Sequence, residues 1–277
     1  MTIQRISAFS NGQQGGNPAG VLIADTLPSR DQMQQIAADI GYSETVFAAP
    51  QKDREWTTRY FSPESEVPFC GHATIALGAA LAERFGAGTH TLHLSETSIT
   101  VEGEAVGELF SAALQSPLTS NEPVGDDMLN AALELFGLAP GDLDERYPAA
   151  RIHAGADHLL LALKDRQQLA QMTYDLAEGR AFMNANGLVT IMLVWAENDR
   201  LFHVRNAFAS GGVLEDPATG AAAAAFAGYL RDREMLSDGE INIVQGEDMG
   251  LRSLLRASFS DGAGSSIRIS GTARTIV

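Results

Sequence analysis

The amino-acid sequence predicts an α+β fold in two similar halves, each with a curved, mostly antiparallel sheet around one central buried helix. Two uncharged, alanine-rich runs at residues 73–82 and 221–230 have no polar face, which is typical of helices buried on all sides. After the first run the pattern continues as successive strands, which argues against a doubly wound parallel sheet. A polar, proline-containing segment at residues 117–125 is the best candidate for the boundary between the halves.

Length and composition limit the possible functions. The chain has 277 residues, is 45% apolar and has no apolar run suited to spanning a membrane, all of which is typical of a globular protein. Residues 1–14 lack the apolar core of a signal peptide, so we expect a cytoplasmic protein. The formal net charge of −16 argues against binding to nucleic-acid phosphates.

Cysteine, histidine and glycine patterns give no support for a bound cofactor. The one cysteine, Cys70, excludes an internal disulfide framework and a cysteine-rich zinc site. The six histidines form no HExxH motif, and the glycine-rich residues 11–20 have neither the Walker lysine nor the GxGxxG spacing. We therefore expect neither a metal nor a cofactor, and a small molecule as the only substrate.

In the first half, local signals predict two helices and seven strands. Ser29 and Gln32 form a capping box that begins a helix ending at Gly41. The first buried helix follows Cys70 and ends at the glycines of residues 86–88. A turn is predicted at residues 11–20, and strands at residues 3–9, 21–24, 45–49, 56–61, 91–94, 98–102 and 108–113.

In the second half, a further buried helix follows the same kind of glycine-containing start. Proline suits a first helical turn, so this helix is predicted to begin near Pro217 or Ala218 and to end near Leu230. Other helices are predicted at residues 126–136, 165–172 and 174–184. Strands are predicted at residues 150–154, 158–163, 188–195, 201–206, 241–244, 254–259, 266–270 and 273–277.

Glu44 is the first candidate for acid/base chemistry. It begins a predicted strand and has Tyr42, Val46 and Phe47 as neighbours. A carboxyl group held in an apolar cleft can exchange protons near neutral pH. The alternative interpretation is a solvated glutamate at the edge of a strand.

The starts of the two buried helices carry the other candidates. Asp216 is either a helix cap or an acid/base group, and His72 is either a structural residue or a proton shuttle. Cys70 is either a small buried residue or a thiol activated at a helix start. Ser43, beside Glu44, has a hydroxyl that can hydrogen-bond a substrate.

Together these residues suggest a site for a small carboxylate. The N-termini of the buried helices, near Ala73 and at residues 218–221, would bind the anion through unpaired N–H groups and the helix dipole. Glu44, Asp216 and His72 would transfer protons.

Over nearly its whole length the chain resembles the PhzF-like phenazine-biosynthesis family, whose members are related to diaminopimelate epimerase. The segments 43–45, 70–74 and 215–220, in this order, are specific for that family. The resemblance is carried by residues 16–20 (GNPAG), 43–45 (SET), 59–61 (RYF), 70–74 (CGHAT), 215–220 (EDPATG), 245–246 (QG) and 269–271 (ISG).

The resemblance implies two pseudo-symmetric, barrel-like halves, residues 1–118 with a returning strand at 268–277, and residues 119–267, with a cleft between them. It implies a cofactor-independent isomerase that shifts a proton on a small amino or hydroxy acid, and a homodimer. Glu44 would move the proton, while His72 and Asp216 would orient the substrate or assist the transfer. The residues implied in substrate binding are Ser43, Gly71, Ala73, Thr219, Gly220 and Ala221.

Three departures from the family pattern keep two alternatives open. Ala221 stands where a serine is frequent, which removes one hydroxyl hydrogen bond worth roughly 1 kcal/mol. Residues 250–253 read GLRS instead of the more usual Gly-Arg-Pro-Ser. A thiol epimerase needs two cysteines, whereas Cys70 and Asp216 occupy the two positions here. A racemase or epimerase using Cys70 and Asp216, and a non-catalytic carboxylate-binding protein, are therefore the alternatives.

Overall fold

The computed structural model describes residues 2–95 and 97–276. The chain folds into two compact units. The first comprises the chain up to Gln115 together with the stretch from Arg268 onward, and the second is Ser116–Ile267. None of the helices formed by the described residues is long and apolar enough to cross a membrane.

The strands of the first unit form a closed ring. Eight of them pair in the order β1-β2-β3-β4-β6-β7-β8-β17, and β17 pairs back with β1, so the sheet closes into a barrel. The β2–β3 and β4–β6 pairs are parallel and the other described pairs are antiparallel. The strands are β1 (Gln4–Ala8), β2 (Asn17–Ile23), β3 (Thr45–Lys52), β4 (Glu55–Phe61), β5 (Glu66–Val67), β6 (Gly88–His93), β7 (Ser98–Val106), β8 (Leu109–Gln115) and β17 (Arg268–Thr275).

The first buried helix, α2 (Gly71–Phe85), packs against the strands of this barrel. Every residue from Gly71 to Ala82 is buried, and the helix contacts β1, β2, β7, β8 and β17. The small side chains are needed because helix and sheet approach closely. A Cβ atom added to Gly103 of β7 would lie 2.2 Å from the carbonyl oxygen of Gly78.

A shorter helix, α1 (Arg30–Ile40), begins at Ser29 with the predicted capping box and ends at Gly41, whose φ is 70°. Its buried residues pack with side chains of β2, β3 and β4, where Phe47 and Phe61 meet edge to face. The prediction of this helix and both its ends is confirmed.

The second unit repeats the same order of elements. Its described pairings run β9-β10-β11-β12-β13-β15-β16, and again two pairs, β11–β12 and β13–β15, are parallel. The strands are β9 (Ser120–Pro123), β10 (Ala150–His153), β11 (Asp157–Leu163), β12 (Thr190–Asn198), β13 (Leu201–Ala207), β14 (Glu215–Asp216), β15 (Gly239–Gln245) and β16 (Ser253–Phe259).

The helices of this unit lie against two different sets of side chains of the sheet. The second buried helix, α6 (Gly220–Asp232), contacts β9, β10, β11 and β16. Alternate leucines of β11, at 159, 161 and 163, instead join a core with α3 (Asp126–Phe136), α4 (Arg166–Ala170) and α5 (Leu176–Ala185). Because both faces of β11 are covered, its residues from Leu159 to Leu163 form an unbroken apolar run. The predicted α+β fold, with one central helix in each of two similar sheets, is confirmed.

Some of the predicted ends of strands and turns were wrong, because those ends depend on pairing between strands that are not predicted by local sequence. Residues 17–20, predicted as part of a turn, belong to β2 because they pair with β1. Residues 120–123 of the predicted boundary segment form β9 because they pair with β10. The two strands predicted at 266–270 and 273–277 are one strand, β17, and residue 277 lies outside the described residues.

The start of α6 also differs from the prediction. The helix begins at Gly220, not at Pro217 or Ala218, and Thr219 is its N-cap. The Gln245 side chain donates to the carbonyl oxygen of Asp216 and accepts from the backbone N–H of Thr219. These bonds hold the preceding residues in an extended conformation, so the helix cannot begin earlier.

Candidate active site

A cluster of polar side chains lies at the start of α2 in the first unit. His72 Nε2 is 3.4 Å from Glu44 Oε2 and 3.4 Å from Ser43 Oγ. Cys70 Sγ is 3.3 Å from the other ring nitrogen, His72 Nδ1. Glu44 and His72 are only 7% and 4% exposed, so a carboxyl group and an imidazole face each other away from bulk water.

Glu44 is held by the backbone of the adjacent parallel strand. Its carbonyl oxygen accepts a hydrogen bond from the N–H of Gly20, 3.3 Å away. A Cβ atom at position 20 would lie 2.7 Å from Thr45 Oγ1, so only glycine allows β2 to approach β3 this closely. The glycine-rich segment therefore helps to position Glu44, and its glycine is used for packing.

Thr74 fixes the first turn of α2. Its hydroxyl donates its one proton to the carbonyl oxygen of Cys70 at 2.7 Å. In the contact between Thr74 Oγ1 and the Tyr60 hydroxyl, also 2.7 Å, Tyr60 must therefore be the donor. Among the described residues no side chain caps this helix, whose N-cap is Cys70. The positive end of the helix dipole thus lies at the cluster, where it favours an anion.

Burial controls the protonation of His72. It lowers the pKa of the imidazole below its ordinary value, and the nearby Glu44 carboxylate opposes this only in part. His72 is therefore neutral near pH 7, with one ring nitrogen that donates a hydrogen bond and one that accepts a hydrogen bond. Burial also raises the pKa of Tyr60, which remains an uncharged hydrogen-bond donor.

The donor atoms of Glu44, Cys70 and His72 lie within 4.8 Å of one another, which raises the question of a metal site. The carboxylate approaches His72 Nε2, whereas the thiol lies closer to Nδ1, at 3.3 Å against 4.0 Å to Nε2. One ring nitrogen, Nε2, lies within 4.0 Å of both other donors, but the shorter contact of the thiol is with the opposite nitrogen. The present arrangement suits proton transfer through the imidazole better.

The second unit holds the other predicted residues, before and at the start of α6. The Thr219 hydroxyl donates to Asp216 Oδ2 at 2.5 Å, and Gln245 Nε2 contacts Thr219 Oγ1 at 3.1 Å. Asp216 lies in β14 and is 5% exposed, so it is not the N-cap of α6. Gly220 and Ala221 form the first turn, Gly220 buried and Ala221 partly so.

Glu215, the carboxylate next to Asp216, has a structural role. Its oxygens accept three hydrogen bonds from the Arg205 guanidinium, at 3.1, 3.1 and 2.5 Å. In the first unit, Arg59 and Glu66 form the corresponding pair between β4 and β5. Of the two acids at this position, only Asp216 is a candidate for chemistry.

Asn206 is not among the site residues predicted from the sequence. Its side chain is fully buried, and neither its Nδ2 nor its Oδ1 has a hydrogen-bond partner among the described residues. In the β13–β14 ladder it lies directly opposite Asp216, so the two side chains share a face of the sheet. The available signal was an amide in an otherwise apolar position of the predicted strand at 201–206.

The structure thus brings Ser43, Glu44, Cys70, Gly71, His72 and Ala73 together in the first unit, and Asp216, Thr219, Gly220 and Ala221 together in the second. Each group lies at the start of a buried helix.

Comparisons of the sequence and of the fold with known proteins point to the same family. A sequence profile described as phenazine biosynthesis-like protein, PhzC-PhzF, matches residues 6–277. A trans-2,3-dihydro-3-hydroxyanthranilate isomerase from Pseudomonas fluorescens is 30% identical over 91% of this chain and 88% of its own. An uncharacterized isomerase of Escherichia coli K12 is 28% identical over 98% and 95%. The crystal structure of a Bacillus anthracis phenazine biosynthesis protein of the PhzF family superposes with a TM-score of 0.85, at 22% identity over 99% and 96%.

Proposed function

Since this chain belongs to the PhzC-PhzF family of phenazine biosynthesis-like proteins, we propose that it is an isomerase that shifts a proton within a small carboxylic acid, with Glu44 as the acid/base group. The observation that carries the proposal is the Glu44 carboxyl group, 7% exposed and 3.4 Å from His72. A carboxyl group held away from bulk water beside an imidazole is placed for general acid/base catalysis.

In the proposed reaction Glu44 removes a proton from one carbon of the substrate and returns it to another. The atoms and electrons balance within one molecule, so no oxidant or second substrate is needed. The first turn of α2, at Gly71 and Ala73, would bind the substrate carboxylate through backbone N–H groups. Ser43 and His72 would position the reacting carbon of the substrate next to the Glu44 carboxyl group.

Asp216 is proposed as a second polar contact for the substrate. The hydrogen bond from Thr219 and the fixed backbone of residues 216–219 give its carboxylate one orientation. Gly220 and Ala221 would contribute backbone N–H groups at the start of α6. Ala221 has no hydroxyl, so its contribution is limited to the backbone and the methyl group.

The name of the Pseudomonas fluorescens relative supplies a first substrate class. That protein is named as an isomerase of trans-2,3-dihydro-3-hydroxyanthranilate, a cyclic amino and hydroxy acid. We infer that this chain acts on an acid of similar size and polarity.

The test is deuterium uptake from heavy water into a panel of small amino and hydroxy acids that includes this compound. The wild-type protein is compared with Glu44→Gln and with Glu64→Gln, an exposed control on the same unit. Uptake by wild type and Glu64→Gln but not by Glu44→Gln supports the proposal. Full uptake by Glu44→Gln refutes it.

A second candidate is a racemase or epimerase that uses Cys70 and Asp216. The 3.3 Å approach of Cys70 Sγ to His72 Nδ1 supports it, because an imidazole can accept the thiol proton. This mechanism predicts that Cys70→Ala abolishes exchange while Glu44→Gln retains it. Saturable ligand binding with no exchange by any variant would indicate a non-catalytic binding protein. The homodimer and the cytoplasmic location stay predictions, and light scattering tests the first.

A further inference from the structure

A cavity of about 390 Å³ lies in the first unit, away from the candidate active site. It is formed where β2, β3, β4 and β6 meet the C-terminal end of α2, and its lining includes Ile23, Pro50, Trp56, Phe85 and His90. The cluster around His72 is at the other end of the same helix, which spans about 22 Å. The mouth of a β-barrel is a frequent location of small-molecule sites.

One buried group in this lining is a hydrogen-bond donor without an acceptor among the described residues. Trp56 Nε1 is 3.0 Å from His90 Nδ1, and because an indole nitrogen can only donate, Nδ1 must be the acceptor. The ring proton of His90 is therefore on Nε2. His90 is 1% exposed, and its Nε2 has no partner among the described residues. A buried donor without an acceptor is costly, and because this atom has almost no exposed surface, a ligand would satisfy it only after a small shift of the lining.

The lining is also cationic, although the chain as a whole carries −16. Lys52, Arg54 and Arg84 line the cavity together with two acids, Asp25 and Asp53. Lys52 pairs with Glu55 at 3.0 Å, so the two arginines are the cations left for a ligand. Within the described parts of the chain neither arginine has a carboxylate within ion-pair distance. The Arg54 guanidinium contacts only a backbone carbonyl, that of residue 87.

The rest of the wall is aromatic. The rings of Trp56 and Phe85 have centroids 5.2 Å apart, and Phe85 is 46% exposed. Together with His90 they offer flat surfaces to a planar group. A volume near the low end of the usual range for ligand sites, about 300–1,000 Å³, suits a ligand with a single ring.

We propose that this barrel mouth is a second binding site, for a small aromatic or planar carboxylate. The carboxylate would pair with Arg84 and Arg54, and its ring would lie against Trp56 and Phe85. A small shift of the lining would then let the carboxylate accept the His90 Nε2–H bond.

The probe is benzoate, and the reporter is the fluorescence of Trp56. The chain has two tryptophans, so a Trp195→Phe background leaves Trp56 as the only one. We expect saturable quenching by benzoate and at least about tenfold weaker binding of benzamide, which has the same shape without the charge. Inorganic phosphate, which lacks a ring, is expected to bind more weakly than benzoate.

Arg84→Gln removes one of the two arginines of the cavity, and Arg5→Gln, at another exposed position, is its matched control. Arg84→Gln should weaken benzoate about tenfold, while Arg5→Gln and His72→Asn should leave the affinity unchanged. Three results would each overturn the proposal: no saturation by benzoate, equal binding of benzamide and benzoate, or equal weakening in Arg84→Gln and Arg5→Gln. The comparison of benzoate with benzamide needs no variant of the cavity, so it holds even if a substitution there impairs folding.

Discussion

Replacing Asn206 by leucine should make the protein more stable and less active. The amide is fully buried and neither of its polar atoms has a partner among the described residues. Each unpaired buried group costs about 1–3 kcal/mol, and leucine has nearly the same volume without the polar atoms. Allowing for imperfect packing of the branched side chain, we expect the free energy of unfolding to rise by about 1–2 kcal/mol.

Urea unfolding of Asn206→Leu measures this change. Asn242→Leu, at an exposed position of β15, is the control and should stay within about 0.5 kcal/mol of wild type. Because Asn206 lies opposite Asp216 in the ladder, a leucine there should disturb that carboxylate, and deuterium uptake should fall. A loss of more than about 1 kcal/mol in Asn206→Leu would refute the reasoning, because it would mean that the amide is satisfied in the native protein.

Three further predictions follow from buried polar groups. Tyr60→Phe should cost about 1 kcal/mol, whereas Thr74→Val should cost more, because it leaves the Tyr60 hydroxyl buried without an acceptor; thermal or urea unfolding of both variants decides the order. Glu215→Gln should destabilise the second unit by about 3 kcal/mol or more, since the Arg205 guanidinium would keep its charge in a largely buried position; equal stability in urea would contradict this. Burial lowers the pKa of His158 to about 3 in the folded protein, against a value near 6.5 in the unfolded chain. Below pH 6.5 the unfolded state therefore binds more protons than the folded state, and the free energy of unfolding falls by about 1.4 kcal/mol for each pH unit. Between pH 7 and pH 5 the wild type should therefore lose about 2 kcal/mol more than His158→Gln, and parallel urea curves for the two proteins would exclude this effect.

The local features of this protein follow from short sequence patterns. Alanine-rich runs without charge can only be helices buried on all sides, and the structure has them as α2 and α6. The capping box of Ser29 and the glycine at 41 set both ends of α1, because those signals act within one helical turn. Glu44 is a candidate from its place at the start of a strand, and His72 and Cys70 from their place at the start of a helix; the three form one cluster.

Tertiary structure alone decided whatever depends on residues far apart in the chain. β17 closes the first barrel by pairing with β1 and β8, some 150 residues or more away, and no local pattern encodes that closure. Gln245 delays the start of α6 to Gly220, and Arg205 removes Glu215 from the possible acids. The unpaired amide of Asn206 and the unpaired Nε2–H of His90 exist only once burial has removed water from them. Hydrogen-bond satisfaction is a property of the packed interior, which is why the sequence indicated where the chemistry lies but not which polar groups are left to bind a ligand.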